Sequence, residues 1–257
     1  MTTVAAAALA AGVTANSRPI PILVYHQIAD APPKGSAFRS LYVSPAAFAR
    51  QMALLKLLGF TGLSMSGLLP YLRGEKSGKV VGITFDDGYL NNLTHALPVL
   101  SRHGFSSTCY AVSGLLGQTN VWDEAIGVAQ TPLMNAQQLA AWAAGGQEIG
   151  SHTRTHANLN EASEATAQEE IFRGKIELEP LANGAVDHFC YPFGYYTARD
   201  VALAHNAGFR TATTTRRSRC HAGLALLELP RVPVVRSTTL PVFWLKLATH
   251  YEDKHTP

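Results

Sequence analysis

The run Val80-Val81-Gly82-Ile83-Thr84-Phe85-Asp86-Asp87-Gly88 constrains the fold more than any other stretch of the chain. Its apolar, β-branched part reads as a buried strand. The strand stops on two adjacent carboxylates and a glycine. Two like charges brought to one place at the end of a buried strand cost free energy unless something offsets them. A bound cation does so most directly. Neighbouring residues in an extended segment point to opposite sides, so one carboxylate can hold a metal while the other handles a proton. Gly88 lets the backbone turn sharply just past them.

Further ligands come later in the chain. Glu148-Ile149-Gly150-Ser151-His152-Thr153-Arg154-Thr155-His156 is a second strand-like piece that runs into His-x-x-x-His. Four-residue spacing predicts two imidazoles on one face of a helical turn, close enough to share an ion. Asp87, His152 and His156 together make a two-His, one-carboxylate set with open positions, which suits a catalytic metal site rather than a structural one.

Strand and helix signals alternate around these two pieces. Pro19 to His26 reads as a first buried strand that ends on a histidine. Ser44-Pro45 opens a helix whose Phe48, Met52, Leu55 and Leu58 recur at helical spacing before Gly59. Asn91 to His103 reads as a helix closed by Gly104, and Ser106 to Val112 as a strand. Ser113 to Pro132 is a long loop containing Trp122, and loops of that length are commonly functional. Asn135 caps the next helix, with Gln138 at the capping-box position. Glu161 to Leu181 reads as the longest helix, with Ile171, Ile176 and Leu178 among its apolar positions. Three more strands (Val186 to Tyr191, Phe209 to Thr214, Leu226 to Val235) alternate with a helix over Thr197 to Asn206. A terminal helix over Leu240 to His250 packs Phe243, Trp244 and Leu247. The alternation predicts an α/β domain with a parallel sheet or barrel. His26, Asp86, Asp87, His152 and Pro192 all fall at predicted C-terminal strand ends, where barrels collect their chemistry.

Composition sets the bounds. With 257 residues and 47% hydrophobic content, the chain is long enough for one large domain with a substantial core. Charged residues are 15%, and the net charge of +3 with no Lys/Arg stripe gives nucleic-acid binding no support. Cys109, Cys190 and Cys220 form no CxxC; Cys109 and Cys190, inside strand-like segments, read as buried free thiols. Residues 1–18 read as a signal-peptide remnant or a loose terminus, and 19–257 as a single domain. The apolar stretch Val4 to Val13 is too short to span a bilayer, so no transmembrane segment is expected. It ends in an A-x-A-like Val13-Thr14-Ala15 but lacks a preceding Lys or Arg; export is the favoured reading.

Thr84-Phe85-Asp86-Asp87-Gly88 followed by Ser151-His152-Thr153-Arg154-Thr155-His156 resembles the polysaccharide deacetylases, the NodB-like carbohydrate esterases. The resemblance runs from about Pro19 to about Val235. It implies a distorted (β/α) barrel of the NodB type. It also implies one divalent metal, which Asp87, His152 and His156 would hold; two His and one carboxylate suit zinc, and also cobalt, nickel or iron. The implied reaction removes acetyl groups from an N-acetylated glycan polymer or oligosaccharide. The cation would polarise the acetyl carbonyl and lower the pKa of a water, and Asp86 would take that water's proton. Phe189-Cys190-Tyr191-Pro192-Phe193-Gly194 is similar to the family's third motif, which assigns Tyr191, Pro192 and Phe193 to the oxyanion and substrate side, with the Phe193 N–H as donor.

The chain also departs from that pattern. Cys190 stands where the third motif carries Arg, no Trp-containing fourth motif is evident, and Leu227-Glu228-Leu229-Pro230-Arg231 has Arg where the final motif carries its acid histidine. Arg cannot give up a proton near neutral pH. The vacancy points to His26: a Tyr-His pair after the first strand resembles the branch acting on poly-N-acetylglucosamine in biofilms, where that histidine is the proposed acid. Arg231 would then orient Asp86 or His26. His95, His103, His188, His205, His221, His250 and His255 have no such argument, and most of them read as surface groups. Two rival readings are an O-acetyl (xylan-type) esterase and a degenerate glycan-binding module; the intact metal set weighs against the latter.

Overall fold

The computed structural model describes residues 18–182, 184–221 and 223–253. The leader-like stretch and His255 lie outside them. The chain order is β1 (Ile22–Tyr25), β2 (Gln27–Ile28), β3 (Tyr42–Val43), α1 (Pro45–Leu57), β4 (Thr61–Leu63), α2 (Met65–Leu72) and β5 (Val80–Phe85). It continues through α3 (Leu97–His103), β6 (Thr108–Ala111), α4 (Ala136–Ala144), β7 (Glu148–Ser151), α5 (Glu164–Leu178), β8 (His188–Cys190), α6 (Ala198–Asn206), β9 (Thr211–Arg217), β10 (Leu229–Pro233) and α7 (Leu240–Ala248).

The main sheet runs β1-β10-β9-β8-β7-β6-β5, all parallel, and closes where β1 pairs with β5. The closure is distorted because one edge of β5 serves two strands. β4 covers its start, with Thr61 opposite Val80, and β6 covers its end, with Thr84 opposite Thr108, while β1 pairs along the other edge, with Tyr25 opposite Phe85. A second irregularity lies between β9 and β10, where the register slips between Leu229 opposite Thr213 and Arg231 opposite Arg217. The result is the distorted (β/α) barrel that the family resemblance implies.

Helix ends follow the local chemistry. Ser44 Oγ accepts from Ala47 N ahead of Pro45, and Asn135 and Gln138 form a capping box on α4. Each such cap is worth about 1 kcal/mol. Phe48 of α1 packs edge-on to Tyr25 at 5.2 Å, and Phe85 packs edge-on to Trp142 of α4 at 5.7 Å, so the ring cluster ties two helices to the strand that carries the paired acids. Truncating Phe48 to Ala would cost about 3–5 kcal/mol.

Several sequence expectations change here. Ile176 and Trp244 are 56% and 44% exposed, because they sit on the outer faces of α5 and α7. The longest helix starts at Glu164, capped by Ser163, and relaxes to a 3-10 turn after Leu178. β4 and α2 were not read from the sequence: the strand is three residues long, and Pro70 inside α2 masks the helical signal. His188 is buried, not on the surface, with its ring between Ser66 Oγ (2.9 Å) and Thr211 Oγ1 (2.7 Å).

Candidate active site

Because the barrel strands are parallel, their C-terminal ends share one rim. His26 follows β1, Asp86 and Asp87 follow β5, His152 follows β7 and Pro192 lies two residues past β8. The rim opens into a cleft of about 320 Å³ lined by His26, Asp86, Asp87, His152, His156, Tyr191 and Phe193, together with Phe38, Trp122 and Asp123.

The predicted ligand set converges. Asp87 Oδ1 lies 3.4 Å from both His152 Nε2 and His156 Nε2. Two ligand atoms about 2.05 Å from a common tetrahedral ion would stand about 3.3 Å apart. His152 Nδ1 is 2.7 Å from the Cys190 carbonyl, which can only accept, so this nitrogen donates and Nε2 is left to face the carboxylate. Burial disfavours charge on His152, yet Cys190, Asp87 and Asp86 raise it well above the ordinary histidine range. The pocket thus favours a positive charge at this point, and a divalent cation would supply one. Burial, reinforced by His152, holds the His156 ring below its ordinary range, leaving it a neutral donor ligand. Asp87 is pushed up by burial but held well below the carboxylate range by the two imidazoles. The donor set therefore fits a divalent cation.

The two histidines do not share a helical turn. Residues 152–158 form a loop in which Thr153 (φ 61) and His156 (φ 62) take left-handed backbone. The other non-glycine residues with positive φ among those described are Phe38, Asp87 and Phe193, and all three line the cleft. Such conformations cost about 1–3 kcal/mol each and persist where surrounding contacts over-determine them.

One such contact set escaped the sequence reading. Glu170 of α5 accepts from Arg154 N (2.9 Å), Thr155 N (2.8 Å) and Thr155 Oγ1 (2.7 Å), all between the two ligand histidines. One turn on, Gly174 lets α5 approach the loop: a Cβ there would stand 2.9 Å from Thr153 C and 3.2 Å from Arg154 N. Glu177 completes the stripe, accepting from Arg154 Nε at 3.0 Å and Ser113 Oγ at 2.7 Å. Their i, i+4, i+7 spacing was the available signal. Trp122 stacks on His156 at 4.3 Å, and Phe193 packs edge-on against the same ring at 4.5 Å.

On the opposite side of β5's end, Asp86 is gripped by Arg231. Nη1 donates to Oδ1 at 2.6 Å and Nη2 to Oδ2 at 2.7 Å. Burial pushes Asp86 up; the guanidinium more than offsets this, and the group stays below the ordinary carboxylate range. His26 Nε2 stands 4.0 Å from Asp86 Oδ2 and is partly exposed to the cleft. Of the two orientation options for Arg231, its hydrogen bonds select Asp86. The Tyr191 hydroxyl is engaged, donating to Leu227 O at 3.0 Å.

A closed parallel barrel with a cation-ready Asp-His-His set and a paired acid at one rim defines a (β/α)-barrel enzyme. Residues 73–212 match the family profile for polysaccharide deacetylase, and the chain belongs to that family. It is 28% identical over 217 residues to YxkH of Bacillus subtilis, whose name assigns it to the same family, covering 84% of this chain and 71% of that one. Among solved structures, the Streptococcus pyogenes deacetylase PplD in complex with acetate matches with a TM-score of 0.78 and 25% identity, over 90% of this chain and 99% of that one. BC0361, a polysaccharide deacetylase from Bacillus cereus, matches with a TM-score of 0.75 and 28% identity, over 90% and 69%. IcaB from Ammonifex degensii shares the fold, with a TM-score of 0.76 and 24% identity over 90% and 97%. The protein is a hydrolytic deacetylase acting on a glycan. No helix among the described residues is long and apolar enough to cross a membrane.

Proposed function

We propose that this protein removes acetyl groups from an N-acetylglucosamine-containing polysaccharide with the help of one divalent metal ion, zinc by preference. The observation that carries the reading is the convergence of Asp87, His152 and His156 beside an Arg-held Asp86, with His26 across from it. Asp87, His152 and His156 would hold the ion, which supplies Lewis acidity to the acetyl carbonyl and to a water. Asp86 takes the proton of the attacking water, and Arg231 fixes the plane of its carboxylate. The Phe193 N–H faces the developing oxyanion. His26 protonates the leaving amine, a step that an amide needs and an activated ester does not.

The Tyr25-His26 pair at the end of β1 supports the N-acetylated polymer, since it resembles the poly-N-acetylglucosamine branch of the family. The acetate in the PplD structure fits an acetyl-releasing relative. A polymer of this kind lies outside the cytoplasm, so the reading carries export with it. The test is acetate release from N-acetylglucosamine oligomers, from poly-N-acetylglucosamine and from acetylated xylan, before and after removal of metal with a chelator. Release from the amide substrates that stops on chelation and returns with zinc is expected. Release confined to acetylated xylan would replace N- with O-deacetylation, and activity in metal-free protein would overturn the metal role.

A further inference from the structure

Asp123 is a buried carboxylate that the proposed chemistry does not use. It is 8% exposed and lines the same cleft as Asp86, Asp87 and His26. Among the described residues no Lys, Arg or His forms an ion pair with it, whereas Asp86 has Arg231 and Asp87 has two imidazoles. Burial and the nearby Asp87 raise its carboxyl; the side chains of Asn120 and Trp122, and His26 across the cleft, oppose them without cancelling the rise. A carboxylate left this way in a cleft is costly unless a ligand supplies the missing donor.

The segment that carries it is built, not slack. Asn120 is fully buried, and its Oδ1 accepts from Thr131 N at 2.7 Å. Leu133 N bonds to Gln118 O at 2.8 Å and closes the base of the loop. Met134 N to Gly88 O and Leu90 N to Pro132 O, both 2.9 Å, lock it to the turn just past the paired acids. Trp122, one residue before, stacks on His156. The loop therefore holds Asp123 at a fixed place relative to the reacting centre.

We propose that Asp123 is a substrate-specificity residue that accepts a hydrogen bond from a hydroxyl of the acetylated sugar. A neutral sugar offers hydroxyl donors, and a buried acceptor without a cation is matched by one of them. The inference rests on the glycan reading of this site, not on the amide or ester nature of the acetyl group.

The test compares kcat/KM for N-acetylglucosamine oligomers with kcat/KM for 4-nitrophenyl acetate, which carries no sugar. Asp123→Ala is expected to lose about tenfold to a hundredfold on the oligomer, the worth of one charge-assisted hydrogen bond. The loss on 4-nitrophenyl acetate should be at least fivefold smaller. Asp123→Asn keeps the shape and one acceptor oxygen, and should recover part of the oligomer activity at an unchanged melting temperature. Parallel losses on both substrates, or a fall in bound zinc, would place Asp123 in the reaction centre and overturn the proposal. A loss seen only on partly deacetylated oligomers would assign it to an ammonium group and overturn it as well. If the wild type acts only on O-acetylated sugars, the N-deacetylase reading fails, while the same ratio measured on an O-acetylated sugar still decides Asp123.

Discussion

Arg231 holds both carboxylate oxygens of Asp86 from beneath the cleft, and its Nη2 also lies 3.2 Å from Cys190 Sγ. Two of this chain's three departures from the family pattern thus meet at one point. A small residue at 190 leaves room for a guanidinium that arrives from β10, across the slipped register, with Nε donating to Thr214 O at 3.0 Å. The fork fixes the direction of Asp86, the proposed base, and lowers its proton affinity together, so orientation is gained at some cost in basicity.

Removing Arg231 should therefore do two separable things. Arg231→Met leaves Asp86 buried without a partner and should cost about 3–5 kcal/mol of stability in denaturant unfolding. Combining it with Asp86→Asn should restore most of that stability and none of the acetate release. Arg231→Lys retains a charge but not the fork, and should stay well below wild-type turnover. A lysine variant with full activity would show that charge alone matters.

His26 is within 4.0 Å of Asp86 and partly open to the cleft. If it protonates the leaving amine, His26→Ala should lower turnover of N-acetylated oligomers by about 10²–10⁴-fold. An activated acetyl ester, whose leaving group needs little acid help, should lose far less. Equal losses on the two substrates would remove the acid role.

The Glu170 clamp predicts a metal phenotype from a residue that touches no metal ligand side chain. Glu170→Gln removes the charge that holds the Arg154 and Thr155 N–H groups and puts an NH2 where an oxygen accepted from Thr155 Oγ1. Zinc affinity, measured by competition with a chromophoric chelator, should weaken by about 10–100-fold while the metal-free protein keeps its fold. Gly174→Ala should destabilise by about 1–3 kcal/mol, because the added methyl meets backbone. Unchanged zinc affinity in Glu170→Gln would make the clamp a fold contact only.

The sequence disclosed the parts of this site that depend on strand ends. Alternation and apolar runs placed β5 and β7, and with them Asp86, Asp87 and His152. It did not disclose the parts that depend on close approach of backbone. The His-x-x-x-His spacing reads as a helical turn, yet Glu170 and Gly174 impose left-handed loop geometry from an element that the histidines precede. Arg231 was legible as a departure from a pattern, but its target was not, because the choice between Asp86 and His26 follows from a register slip between β9 and β10 that no local signal records. Ile176 and Trp244 were misplaced for the opposite reason: apolar residues at helical spacing do not show which face the sheet covers.

The Arg219–Asp253 pair gives a pH prediction far from the cleft. Arg219 donates to Asp253 through Nη2 (2.6 Å), Nε (3.2 Å) and its backbone N (2.9 Å), and His250 Nδ1 lies 3.0 Å from the same carboxylate. Burial raises Asp253, but the Arg219 contacts win and set it at about 2. An unfolded aspartate titrates near about 3.9. The folded value lies below the unfolded one, so the contribution is fully present above about pH 4 and fades as pH falls toward 2, where the unfolded chain takes up the proton first. Allowing for solvent screening, it amounts to about 1 kcal/mol. Denaturant unfolding of wild type and Asp253→Asn, both metal-free, should show that gap at pH 6 and about half of it at pH 3. A gap of constant size across that range would mean that the pair contributes through packing rather than charge.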